Sequence, residues 1–262
     1  MEIPYYQVNA FTQSVTGGNP AGVCLLEQWL PDTDLQQIAV QNDLAETAYI
    51  IRKEDGYELR WFTPTVEVPL CGHATLASAY VVFTYLQTDL QQVVFSSKSG
   101  SLTVRRQGGK LELNFPQLPA QPVFSSDLLT KALGMQAQQV LASQRDLMAV
   151  LDSEQAVREL KPDLRTIAQI DQTAVMVTAK GENCDFVSRF FAPRAGIPED
   201  PVTGSSFCTL APYWADRLNK SELHARQLSL RGGEIWCEPA DDRVKIAGHA
   251  MIYLQGTIHW IG

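Results

Sequence analysis

The sequence predicts an α+β protein made of two pseudo-symmetric halves, each a curved, mostly antiparallel, barrel-like sheet around one buried helix. Three observations support this fold class. The 262 residues are 45% hydrophobic and 19% charged, an ordinary globular composition that excludes a disordered or fibrous chain. Several short motifs occur twice in the same order. Two nearly apolar segments, one in each half, are long enough to be central helices.

The internal duplication has a period of about 130 residues, far longer than that of a solenoid. Chance similarity of scattered tripeptides is the alternative explanation, but the shared order of the matches favours two copies related by a pseudo-twofold axis. The matched pairs are Asp34–Ala39 with Asp163–Ala168, Phe62-Thr63-Pro64 with Phe191-Ala192-Pro193, and Cys71-Gly72-His73 with Thr203-Gly204-Ser205.

The elements of the first half follow from periodicity and from turn residues. A short amphipathic helix begins after Pro31, and period-two alternation around Gly108-Gly109 indicates a hairpin. The apolar segment is buried on all sides, because a helix without a polar face cannot lie at the surface. The predicted elements are a helix over 32–42, strands Thr47–Arg52 and Glu58–Phe62, a helix Ala74–Leu86 and a hairpin Leu102–Phe115.

The second half repeats this order with Ser205–Leu218 as its central helix. The proline-rich residues 116–122 mark the linker. We therefore expect one domain over 1–118, joined by the last strand within 250–262, and a second domain over 119–249.

Charge and cysteine usage exclude several classes of function. The chain has 21 Lys and Arg against 29 Asp and Glu, and no basic run, so nucleic acid and anionic membranes are not expected partners. No apolar run suits a membrane span or a signal peptide. Five scattered cysteines indicate free thiols in a reducing cytoplasm. The four histidines have no metal-ligand spacing, so we expect no metal.

The two helix starts form a candidate anion site. Gly72 and Gly204 allow a ligand to approach backbone N–H groups, which bind carboxylates at the start of a helix. If the halves face each other, both starts point into one cleft. Ordinary capping by Ser205 and a tight turn at Gly72 are the alternatives.

Two acidic residues differ between the halves. Glu46 has Val175 as its counterpart, so the fold does not require a carboxylate there, and a proton shuttle is one role for it. A helix-end or surface glutamate is the alternative. Asp200 is predicted either to orient His73 or to contact a substrate amine, and a favourable charge near a helix start is the alternative.

Two other residues are weaker candidates. Asn19 lies in a glycine-rich loop that lets the backbone approach a ligand. Cys71 lies at a helix start, where thiolates are stabilised, but its counterpart Thr203 supplies no second thiol. A small packed residue is the more common role for such a cysteine.

Together the motifs resemble the phenazine-biosynthesis F-type (PhzF-like) isomerase family, along essentially the whole chain. The motifs are Asn9-Ala10-Phe11, Gly18–Val23, Ala45–Ala48, Phe62-Thr63-Pro64, Cys71–Thr75 and Glu199–Ser205.

The resemblance implies the diaminopimelate-epimerase fold, a site between the halves, no cofactor and a homodimer. It implies that Glu46 shuttles the proton and that the Gly72 and Gly204 amides hold the substrate carboxylate. His73, Asp200 and Ser205 match the other active-site positions. Many members have Ala-His after the Gly-Ser pair, whereas this chain has Ser206-Phe207, which puts the substrate in doubt.

These observations predict a cofactor-independent isomerase that acts on a small carboxylate, a cyclic or unsaturated amino or hydroxy acid. A racemase or epimerase of the same fold is one alternative. A non-catalytic protein that binds a small ligand is another. Membership of a phenazine pathway is not implied.

Overall fold

The computed structural model describes residues 1–261. The chain divides into two compact units. The first contains Met1–Asn114 and the C-terminal segment that begins at Ala247, and the second contains Phe115–Ile246. Among the described residues, no helix has the length and apolarity that a membrane crossing requires.

The first unit contains eight strands, two α-helices and the C-terminal strand. The elements are β1 (Glu2–Ala10), β2 (Asn19–Leu26), α1 (Asp32–Asn42), β3 (Glu46–Lys53), β4 (Gly56–Phe62), β5 (Glu67–Val68), α2 (Gly72–Val81), β6 (Gln92–Ser97), β7 (Gly100–Gln107), β8 (Lys110–Pro116) and the C-terminal strand (Ala250–His259). The C-terminal strand pairs antiparallel with β1.

Helix α2 is the central helix of this unit. Eight of its ten residues, all but Gly72 and Tyr80, are buried, as a helix without a polar face must be. It packs on β1, β2 and β3. The predicted helix Ala74–Leu86 is only partly α-helical, because the chain continues from Val82 to Leu86 as a π-helix.

The second unit repeats the mixture of strands and short helices. Its elements are β9 (Gln121–Pro122), α3 (Asp127–Leu133), β10 (Gln139–Ala142), β11 (Asp146–Val150), α4 (Glu154–Glu159), α5 (Leu164–Ile167), β12 (Ala174–Lys180), β13 (Phe186–Phe191), α6 (Phe207–Leu218), β14 (Leu223–Gln227), β15 (Gly233–Ala240) and β16 (Arg243–Gly248). Two 3₁₀ turns, Pro193–Ala195 and Gly204–Ser206, precede α6.

Helix α6 is the counterpart of α2 and contains a proline. Pro212 has no N–H to donate to the carbonyl of Cys208 one turn earlier. The backbone N–H of Leu118 donates to that carbonyl instead, at 2.9 Å. The buried indole of Trp214 stacks on Phe186, with ring centroids 5.7 Å apart, and anchors the same helix on the sheet.

Strand pairing shows the duplication directly. In the first unit, β1 to β4, β6 and β7 are joined in turn by antiparallel, parallel, antiparallel, parallel and antiparallel pairings. In the second unit, β10 to β15 are joined in the same alternation. Both units place the central helix between the two strands of their second parallel pair. This arrangement confirms the predicted fold class of curved α+β halves around buried helices.

Candidate functional site

The first helix start brings Glu46, Cys71 and His73 together. Glu46 is the first residue of β3 and pairs with Ala21 on the neighbouring strand β2. Cys71 is the extended residue before α2, and His73 is in its first turn. A ligand atom of each of the three lies within 4.8 Å of those of the others. The structure thus brings together two of the predicted catalytic residues and the weaker candidate Cys71.

The closest contact in this cluster joins an acid and a base. The Nε2 atom of His73 lies 3.1 Å from Oε2 of Glu46, and the two side chains are only 8% and 13% exposed. Both atoms are buried, and within residues 1–261 neither has a hydrogen-bond partner. A buried polar atom without a partner is costly, so both atoms favour an incoming polar group.

Opposing effects set the pKa of His73. Burial lowers it, but the contacts with Cys71 and Glu46 outweigh burial and hold the pKa of His73 well above 6.5. Burial, followed by the charge of Glu46, raises the pKa of the Cys71 thiol more than His73 lowers it. The raised pKa of His73 favours an imidazolium beside Glu46, and the raised pKa of Cys71 favours a protonated thiol 3.5 Å from the other ring nitrogen.

The first turn of α2 presents free backbone donors beside this pair. The carbonyl of Cys71 accepts from both the amide and the hydroxyl of Thr75, which fixes the turn. Within the described chain, no group accepts from the amides of Gly72 and His73. Two unbonded N–H groups at the start of a ten-residue helix suit a carboxylate.

Asn19, the other candidate of the first unit, begins β2, two residues before the partner of Glu46 in the neighbouring strand. It is completely buried. Its predicted contact with a ligand stays a prediction.

The second helix start carries Asp200, Thr203, Gly204 and Ser205. The hydroxyl of Thr203 donates to Oδ2 of Asp200 at 2.6 Å, so this carboxylate is held within its own loop. Gln227, fully buried on β14, accepts from the Thr203 amide and donates to the Asp200 carbonyl. The predicted contact of Asp200 with His73 stays a prediction, as does the idea that both helix starts face one ligand.

Ser205 does not cap α6, because the N-cap positions of the 3₁₀ turn and of α6 are Thr203 and Ser206. Its hydroxyl oxygen accepts instead from Nη2 of Arg145, at 2.9 Å. In the part of the chain described, the amides of Gly204 and Ser205 have no acceptor. Sequence reasoning missed Arg145 and Gln227, because both lie far along the chain from the helix that they support.

Cofactor and metal binding were not expected, and residues 1–261 offer one candidate set, Glu46, Cys71 and His73. In the geometry found here, opposite nitrogens of the single imidazole face Cys71 and Glu46. One metal ion cannot use both nitrogens, so the three side chains do not form a ready ligand set.

Comparison with known proteins agrees with this architecture. The family model for phenazine biosynthesis-like proteins (PhzC-PhzF) matches residues 8–256. An uncharacterized isomerase of Pseudomonas aeruginosa is 47% identical over 258 residues, which cover 98% of this chain and 99% of that protein. A phenazine biosynthesis-like domain-containing protein of Homo sapiens is 38% identical over 286 residues, which cover 98% of this chain and 99% of that protein.

Solved structures show the same similarity. The crystal structure of a PhzF-family phenazine biosynthesis protein from Enterococcus faecalis is 42% identical, with a TM-score of 0.97 over 99% of this chain and all of that one. A hydroxyproline epimerase from Agrobacterium vitis has a TM-score of 0.62 at 9% identity, over 98% of this chain and 92% of that chain. The second similarity is one of fold alone.

Proposed function

Because the chain belongs to the phenazine biosynthesis-like (PhzC-PhzF) family, we propose that it is a cofactor-independent isomerase. It moves a proton between two carbons of a small carboxylate, a cyclic or unsaturated amino or hydroxy acid. Glu46 is the general acid and base of this reaction.

The observation that carries the proposal is the buried pair of Glu46 and His73. Their facing atoms lie 3.1 Å apart, and neither has a hydrogen-bond partner among the residues that the structure describes. A carboxylate held beside an imidazolium is oriented, and it can take a proton from carbon and return it to another carbon within reach. Because water is largely excluded, the electrostatic effect of the imidazolium is stronger than in solution.

The start of α2 supplies the binding step of the proposal. Removing a proton beside a carboxylate puts negative charge onto its oxygens. The unbonded amides of Gly72 and His73 would stabilise that charge, because preorganised donors act most strongly on charge that develops in the transition state. The substrate carboxylate is thus anchored at the helix start where His73 faces Glu46, the group that receives the proton.

The remaining predicted site residues have supporting roles in the proposal. Asn19 contacts the ligand from the start of β2. The Gly204 amide holds a carboxylate oxygen, and Asp200 and Ser205 contact polar groups of the substrate. The protein functions as a cytoplasmic homodimer, a location supported by five free cysteines.

The test is deuterium incorporation from heavy water into a panel of cyclic and unsaturated amino and hydroxy acids. Glu46→Gln keeps the size of the side chain but removes the base, so exchange is expected to fall about 10²- to 10⁴-fold. Glu54→Gln is the matched control, since Glu54 is an exposed glutamate just beyond the other end of β3. Equal exchange in wild type and Glu46→Gln would remove Glu46 from the mechanism.

A further inference from the structure

Arg145 is a cation beside a predicted substrate-binding residue. It lies in the turn between β10 and β11, and its side chain is 42% exposed. Its Nη2 donates to the Ser205 hydroxyl oxygen at 2.9 Å. A hydroxyl that accepts from a guanidinium must turn its own hydrogen elsewhere, so Ser205 is left as a donor to a third group.

The guanidinium is rigid because a buried carboxylate holds it. Nε and Nη2 donate to Asp146 at 3.0 and 2.8 Å, and the Asp146 side chain is only 2% exposed. The carbonyl of Arg145 also accepts from the Thr173 amide. Among residues 1–261, no group accepts from Nη1 of Arg145. The guanidinium therefore keeps two N–H donors beside the Ser205 hydroxyl.

The internal duplication gives an independent reason to assign a ligand to this place. Ala21 is paired with Glu46 across β2 and β3, and Leu147 is paired with Val175 across β11 and β12. Since Val175 is the counterpart of Glu46, Leu147 corresponds to Ala21. Two residues before this pair, Arg145 in the turn ahead of β11 corresponds to Asn19 at the start of β2, which the sequence predicts to contact ligand.

Arg145 places a cation here, paired with the Asp146 carboxylate, although the chain as a whole has a charge of −8. Burial raises the pKa of the Cys208 thiol, near the start of α6, to about 12, and the charges of Arg145 and Arg243 oppose this rise. The Gly204 and Ser205 amides add unbonded donors at the same helix start. An anion there would meet a guanidinium edge, a hydroxyl and two amides.

From these contacts we infer that Arg145 is a specificity-determining residue, which binds an anionic oxygen of the substrate together with Ser205. This inference rests on the proposed function, because only that function makes the bound anion a substrate. The binding of an anion by Arg145 and Ser205 does not depend on it. It narrows the substrate to acids that present an ionised oxygen to Arg145. The neutral amide of the same molecule is excluded, because the guanidinium would lose its charged partner.

The test measures binding of cyclohex-1-ene-1-carboxylate and of its uncharged amide, by calorimetry and by amide NMR shifts. Wild type is expected to prefer the acid, with the Gly204 and Ser205 amides shifting. Arg145→Met should weaken acid binding about tenfold to a hundredfold, the worth of a hydrogen bond between charged groups. Arg165→Met, an exposed arginine of the same unit, is the control and should bind as wild type does.

Arg145→Met leaves Asp146 as a buried unpaired charge, which destabilises the fold. The double variant Arg145→Met, Asp146→Asn removes both charges, and it should fold while keeping the weak binding. Arg145→Lys should recover only part of the affinity, because lysine lacks the planar fork. With a turned-over acid, KM should rise about tenfold or more while kcat stays within about threefold.

Three results would overturn the inference: equal affinity of wild type for acid and amide, wild-type affinity in the folded double variant, or shifts that avoid Gly204 and Ser205. Glu46→Gln separates this outcome from the proposed function. It should bind the acid as wild type does. If no exchange is found, acid binding still tests the role of Arg145. If acid binding fails, the exchange reaction still tests the role of Glu46.

Discussion

The starts of α2 and α6 have the same construction but carry different chemistry. Gly72 lies in the first turn of α2 and Gly204 in the 3₁₀ turn just before α6, and among the described residues two backbone amides at each start have no acceptor. At α2, the added side chains are Glu46 and His73, whose facing atoms lie 3.1 Å apart. At α6, they are Ser205 and Arg145, whose guanidinium donates to the Ser205 hydroxyl oxygen.

This difference suggests that duplication left one copy free to specialise in catalysis and the other in binding. Glu46 has an apolar counterpart, Val175, and Asn19 has a charged one, Arg145. Substitutions at α2 should then mainly change kcat, and substitutions at α6 should mainly change KM. Both expectations compare the same reaction in paired variants.

The largest effect in this comparison after loss of Glu46 itself is expected for His73→Gln. Glutamine cannot supply the positive charge that orients Glu46, so exchange should fall about 10²-fold. In wild type the rate should also decline as pH rises through the raised pKa of His73, and the variant should lack this decline. Measurement of the exchange rate against pH checks both. His259→Gln, an exposed histidine, should behave as wild type.

Stability gives the counterpart of that rate measurement. Because the folded pKa of His73 is raised, its ion pair contributes fully below about pH 6.5 and is lost as pH rises through the folded pKa. Wild type should therefore melt above His73→Gln at acidic to neutral pH, and the gap should close at alkaline pH. A gap that widens with pH would contradict the ion pair.

The smallest effect is expected for Cys71→Ser. The thiol is buried and protonated, and its contact with His73 is a weak one, so exchange should change by less than about threefold. Cys208→Ser is the control, a buried cysteine near the start of α6. A selective loss of more than about 10²-fold in Cys71→Ser would instead favour the racemase alternative with a thiol base.

Much of the fold was predictable because hydrophobic patterning is a local signal and because the duplication repeats its motifs in the same order. The sequence places α1 over 32–42, and the structure places it at Asp32–Asn42. Helix α2 differs, since an apolar run does not say where the α-helical hydrogen-bond pattern changes to a π-helix at Val82. The pairing of Ala21 on β2 with Glu46 on β3 depends on the strand register, which periodicity alone does not fix.

The candidate site was predictable only where motifs carried it. Glu46 stood out because its counterpart is Val175, and His73 because it follows Gly72 in the helix start. Arg145 carries no motif and bonds to Ser205, 60 positions further along the chain. It becomes visible only when the strand register aligns it with Asn19, so tertiary pairing was needed to find it.

The most direct test of the central claim, that Glu46 is the base, is chemical rescue of Glu46→Ala by formate. Removing the side chain leaves space for a small carboxylate beside His73. We expect Glu46→Ala to have no measurable deuterium exchange alone and to recover at least about tenfold with saturating formate. Glu46→Gln, whose amide fills the space, should not recover. Exchange at the wild-type rate in Glu46→Ala without formate would contradict the account.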